Sequence, residues 1–134
     1  MRRYIWGISR RADWASERGA AAVEFALVFP ILILMLIGIV EFGSVFNTQL
    51  MLTSAAREGA RTMAVTGDAG QARTAVIDAA VGATLTAANI SVSPASCSAT
   101  TNVSVVIDYD RPYLTGLFGA TIPLEGKSTR RCFG

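Results

Sequence analysis

Residues 20–40 read AAAVEFALVFPILILMLIGIV, and Glu24 is the only charged side chain among them. As an α-helix this run spans about 32 Å, enough to cross a hydrocarbon core of about 30 Å. A helix that is apolar on every side needs either a bilayer or a large protein core around it, and a chain of 134 residues is too small to supply the core. Arg2, Arg3, Arg10, Arg11 and Arg18 precede the run against Asp13 and Glu17, while no Lys or Arg lies between Glu41 and Ala56. The excess of positive charge on the N-terminal side predicts a cytoplasmic N-terminus and a body on the far side of the membrane.

A cleaved secretory signal fits these residues poorly. Its apolar region spans about 7 to 15 residues and ends at a small-residue cleavage site, whereas the uncharged run from Phe25 to Val40 is followed by EFGSVFN. The triplet Ala20-Ala21-Ala22 stands before the apolar stretch, and Ser9-Arg10-Arg11 leads into Ala12-Asp13-Trp14, where a twin-arginine signal needs apolar residues. Composition narrows the function classes further. Hydrophobic residues make up 51% and charged ones 16%, which excludes a disordered chain. The net charge of +2 is too small for a nucleic-acid binder. Histidine is absent, removing the commonest general base and metal ligand. The ten acids form no compelling metal cluster, and no glycine loop has phosphate-binding spacing. The expectation is no catalytic residue, no metal and no cofactor.

A glycine stands just before the apolar run and a glutamate just inside it. With Ala20 counted as the first residue after Gly19, Glu24 is fifth and Phe25 sixth. The stretch Arg18-Gly19-Ala20-Ala21-Ala22-Val23-Glu24-Phe25 resembles the processing site of type IVb prepilins. Continued through IVEFGSVFNTQLMLTSAAREGAR, it resembles the TadE-like minor pseudopilins of the tight-adherence (Tad, or Flp) pilus system, over Arg18 to Arg61. The major Flp pilins resemble Glu-Tyr at the motif, and Glu24-Phe25 departs from that toward a minor subunit. The resemblance implies cleavage after Gly19 by prepilin peptidase. It implies partnership with other pseudopilins or Flp pilin and with an inner-membrane assembly platform, and a role in adhesion and biofilm formation.

Elementary chemistry supports the same site. A peptidase at the membrane face needs close approach to an extended backbone, which glycine permits. Cleavage leaves an ammonium on Ala20, one helical turn from Glu24. A carboxylate in the bilayer costs a few kcal/mol, so Glu24 needs a partner. Either its own helix N-terminus serves, or the ammonium of a neighbouring subunit does and sets subunit register.

Beyond the run, Phe42, Val45, Phe46, Gln49, Thr53, Ala56, Ala60 and Met63 recur at steps of three or four and predict that the helix continues with this face inward. Thr66-Gly67-Asp68-Ala69-Gly70 stops it. Pro30 interrupts the ladder within it, and Glu41 is expected in solvent at the outer membrane boundary, with a second buried contact as the alternative. The periodicity of Ala72, Ala75, Val76, Ala79, Ala80 and Ala83 predicts a second helix ending near Ala88 and Asn89. Strands are predicted at Ile90–Val92, at Val103–Tyr109 and around Ile122–Arg130, with Pro123 placing the last at an edge. The expected fold class is α+β and pilin-like. A cytoplasmic basic leader occupies 1–19, a long helix 20–65 with its membrane span over 20–40, and an extracytoplasmic head of one helix and about three antiparallel strands 66–134.

Cys97 and Cys132 both fall in the head. In an oxidising compartment they are expected to pair, with two free thiols as the alternative. The loop Arg111–Gly119 carries Tyr113, Leu114, Leu117 and Phe118 between glycines and a proline. Those four side chains are expected to fold back onto the small core, or otherwise to form a patch for a partner pseudopilin or the lipid bilayer. The rival to the pilus reading is an unprocessed single-pass inner-membrane protein whose head recruits another envelope component.

Overall fold

The computed structural model describes residues 12–133, with side chains from Gly19 onward. Residues 1–11, which hold most of the basic leader expected over 1–19, lie outside the described residues. The chain divides into two compact units, Met1–Ile39 and Val40–Gly134.

The first unit is helical throughout its described part. Helix α1 (Ala12–Thr66) begins eight residues before Ala20, where the sequence reading started it, and runs on through Gly19 and Pro30. Residues 12–18 contain no proline or glycine, and a single glycine costs a helix only about 1 kcal/mol relative to alanine, too little to break it. Every side chain from Ala20 to Leu36 is exposed.

The second unit combines the later part of α1 with α2 (Ala69–Ala79), a 3₁₀ turn at Ala87–Asn89, and strands β1 (Ile90–Ser93), β2 (Asn102–Pro112) and β3 (Thr121–Arg131). The strands form one antiparallel sheet in the order β1-β2-β3. This is the expected α+β, pilin-like layout. Alternation in β2 sends Val103, Val105 and Ile107 into the core, as a strand with one covered face requires. β3 lies at an edge, where Pro123, opposite Asp110, removes a donor the sheet can spare.

Helix α1 meets this sheet along a stripe that shares Ala56, Ala60 and Met63 with the one its periodicity predicted and departs from it at Phe42 and Phe46. Leu52, Ala55, Ala56, Ala60, Met63 and Ala64 are buried, with Glu41 continuing the same face toward Val40. Phe42 and Phe46, assigned inward by spacing, are exposed. Small residues dominate the buried stripe because the sheet backbone comes close. A Cβ added to Gly126 in β3 would lie 2.6 Å from the carbonyl oxygen of Leu52. Large aromatic side chains do not fit such a contact, and they occupy the other faces.

The end of α1 is chemically marked. Gly67 adopts φ 67 and its N–H bonds the Met63 carbonyl at 2.9 Å, the left-handed terminus that glycine favours. The next residue starts α2: the Asp68 carboxylate accepts hydrogen bonds from Gln71 N (3.2 Å) and Gly70 N (2.7 Å). These bonds, that from Gln71 foremost, hold its carboxyl below the usual value of 3.8. The contribution of the charged cap is therefore complete above that value and is lost as pH falls through the lowered one. Helix α2 ends at Ala79, well before the expected stop near Ala88. Ala80 and Leu85 both reach the core, and a straight helix cannot put both there. The chain turns between them at Gly82, with φ 95.

Candidate functional site

Gly19, Ala20, Glu24 and Phe25 all lie on α1 with exposed side-chain positions. Helical spacing puts residues 20 and 24 on one face. Phe25 stacks on Phe29 with ring centroids 5.3 Å apart. A Cβ added at Gly19 would meet nothing within 4 Å, and its φ is not positive. Neither packing against the described residues nor backbone conformation requires a glycine there, which leaves room for an external constraint. Gly38 and Gly43 stand likewise in open space, and only its place before Glu24 sets Gly19 apart from them. The extended backbone that close approach by a peptidase needs is not the conformation seen, since Gly19 is inside the helix.

A second cluster gathers around Glu41, where the buried alternative holds. Glu41, expected in solvent, is 1% exposed. Its carboxylate accepts hydrogen bonds from the backbone N–H of Leu114 and, at 3.4 Å, from Thr115 Oγ1. Arg111, at the end of β2, is 8% exposed and donates through Nη2 to Ser44 Oγ, while its buried Nη1 has no partner among the described residues. Ser44 lies three residues along the helix from Glu41, on the same face. An acid and a base from sequence positions 70 residues apart are thus drawn to one side of α1. Hydrogen bonding to a loop backbone explains how this carboxylate stays buried with no ion pair among the described residues.

The same bonds fix the loop that follows β2. Tyr113 N–H bonds the Ala120 carbonyl (3.2 Å) and Gly119 N–H that of Gly116 (3.4 Å), with Gly116 and Gly119 at φ 70 and 129. Only Tyr113 is half-buried. Leu114, Leu117 and Phe118 remain exposed, which corrects the expectation that they fold back onto the core. The Phe118 ring lies 6.0 Å from Phe42 and 6.3 Å from Tyr113, so the exposed group extends onto α1.

Cys97 and Cys132 are joined in a disulfide with Cα atoms 5.6 Å apart. Cys132 N–H also bonds the Thr101 carbonyl (3.0 Å) and Phe133 N–H the Ala64 carbonyl (3.2 Å), tying the end of β3 to α1. Among the described residues no group of three or more Cys, Asp and Glu is arranged to hold a metal ion.

Helix α1 from Gly19 onward holds an 18-residue window of mean hydropathy 2.8, none of it buried. By length and composition it is a candidate membrane span, and its exposure removes the reading as the core helix of a soluble domain. No curated protein and no solved structure matches the chain. The family model described as TadE-like protein matches residues 19–61, in accord with a TadE-like protein of Tad pilus systems. The likeness runs from the glycine that precedes the apolar run to Arg61 on the helix of the second unit, about a third of the 134 residues.

Proposed function

We propose that the chain is a minor pseudopilin, cut by prepilin peptidase between Gly19 and Ala20, that helps initiate or assemble a Tad-type pilus serving adhesion and biofilm formation. The observation that carries this reading is the coincidence of three features: a TadE-like match starting at residue 19, a Gly19/Glu24/Phe25 motif, and an unburied apolar helix behind them. In this reading 1–19 is a cytoplasmic leader, 20–40 spans the bacterial inner membrane, and 66–134 is an extracytoplasmic head. The role is structural, with other pseudopilins or Flp pilin and the inner-membrane platform as partners. Glu24 meets the Ala20 ammonium of a neighbouring subunit, a pairing that offsets the cost of a carboxylate in lipid. Prepilin peptidase would have to unwind α1 locally at Gly19.

The continuity of α1 through Gly19 favours one rival, an unprocessed single-pass protein whose head recruits another envelope component. Mass spectrometry of protein made with its cognate peptidase separates the two. A mature chain starting at Ala20 is expected, and Gly19→Leu is expected to abolish cleavage while leaving insertion intact. Recovery of the full-length chain alone supports the rival. Glu24→Ala is expected to insert and be processed yet to lose most pili, whereas Glu24→Asp retains some. Normal pilus numbers in Glu24→Ala would reduce the carboxylate to a cap for its own helix.

A further inference from the structure

Four observations in the second unit converge on the loop after β2. Leu114, Leu117 and Phe118 are 61%, 60% and 50% exposed, an unusual density of large apolar side chains on one loop. No charged residue occurs from Pro112 to Leu124. The Phe118 ring is grouped with Tyr113 and with exposed Phe42 of α1. Lastly, the loop is held at a defined level of α1, because Leu114 N–H and Thr115 Oγ1 both donate to Glu41. Glu41 directly follows Val40, the last residue of the apolar run.

We infer that the loop Tyr113–Gly119, together with Phe42, sits in the outer interfacial layer of the bilayer that α1 crosses, with Leu114, Leu117 and Phe118 against lipid. The inference rests on the membrane-spanning reading of residues 20–40. Its logic is positional. A side chain one or two residues beyond a membrane span lies within about 3 Å of its end along the helix axis, and a loop bonded to that position shares its depth. At that depth an apolar, uncharged loop with aromatic rings gains free energy by contact with acyl chains and headgroups. The acid is explained as well. A carboxylate at the edge of the hydrocarbon needs donors, and the loop backbone supplies them while covering Glu41 from lipid. A protein partner is the less economical occupant, since it would have to reach the same layer beside α1.

The test uses the full chain with Trp6→Phe and Trp14→Phe, carrying one new tryptophan at a time, in phosphatidylcholine vesicles with and without brominated acyl chains. Leu117→Trp, Leu32→Trp and Val81→Trp all replace exposed residues, so none disturbs packing. Brominated lipid is expected to remove roughly half of the Leu117→Trp emission and at least as much from Leu32→Trp, as for side chains buried in the interface and the span, and to leave Val81→Trp unchanged. Quenching at residue 32 without quenching at 117 overturns the inference and leaves the span intact. Absence of quenching at both removes the span and the inference with it. Equal quenching at 117 and 81 means that the head adsorbs without a preferred face, which also overturns it. An emission from residue 117 that is blue-shifted, unquenched and lost on diluting protein in lipid assigns the loop to a second copy of the chain instead.

Discussion

Gly126→Ala will destabilise the head by about 2 to 3 kcal/mol, at the upper end of what overpacking usually costs. The added Cβ would lie 2.6 Å from the Leu52 carbonyl oxygen, 2.7 Å from its carbon and 2.8 Å from its Cβ. Two of these three atoms are backbone in the middle of α1, so no rotamer change relieves the contact and the sheet must move away from the helix. Leu52 sits in the cluster with Val105, Ile107 and Ile90, and displacement would open contacts throughout that cluster. Gly59 is as tightly placed, because its added Cβ would collide with Val76 Cγ2, part of a fully buried β-branched side chain in α2 with one favoured helical rotamer; Gly59→Ala should destabilise the head as well. Thermal unfolding of detergent-extracted protein is the measurement, with a fall of about 10 °C or more expected for Gly126→Ala. Lys127→Ala, at the exposed neighbouring residue, should stay within about 0.5 kcal/mol of wild type. A Gly126→Ala protein that melts with the wild type would show that β3 does not approach α1 so closely.

Removal of the disulfide is the second large effect. Cys97 and Cys132 are separated by 35 residues, for which loop-closure entropy gives about 3.8 kcal/mol. Cys97→Ser with Cys132→Ser should therefore lower the melting temperature of the head sharply and raise its protease sensitivity, while membrane insertion, which depends on residues 20–40, proceeds. Reductant supplies an independent route to the same state. Reduced wild type should melt with the double variant, and a reductant-insensitive melting temperature in the wild type would mean that the bridge does not form in the exported protein.

What the sequence disclosed was whatever is encoded locally. The alternation of Val103, Val105 and Ile107 is a property of one strand, and the edge position of β3 follows from the missing donor of Pro123. Gly67 and Asp68 mark the helix boundary through their own backbone and side-chain chemistry. The pairing of the cysteines followed from their number and expected compartment. The failures occurred where the answer depends on another part of the chain. Hydrophobicity favoured Phe42 and Phe46 as the inward face of α1, but proximity of the β3 backbone at Gly126 selects alanine and glycine there. Glu41 reads as a boundary residue until Leu114 and Thr115, more than 70 residues later, provide its donors. A usable signal did exist in the spacing of Ala55, Ala56, Gly59, Ala60 and Ala64, whose small side chains mark a close contact better than a hydrophobic score does. The motif Gly19/Glu24 was legible as a pattern, yet the helix passing through it was not, because one glycine is a weaker helix breaker than its role in a cleavage motif suggests.

The covalent link from Cys97 to Cys132 also has a mechanical meaning if the chain takes the proposed place in a surface filament. Its loop encloses the whole of β2 and β3, so a pull applied between α1 and the C-terminus bypasses the two long strands. About 120 Å of contour, 35 residues at up to roughly 3.4 Å each, is withheld from extension. Only the segment between Gly67 and Ser96, including α2 and β1, can lengthen before the bond itself carries the load. The head would then act under tension as a short tether with a fixed stop, and its largest pair of strands would stay folded after its helix had been drawn out.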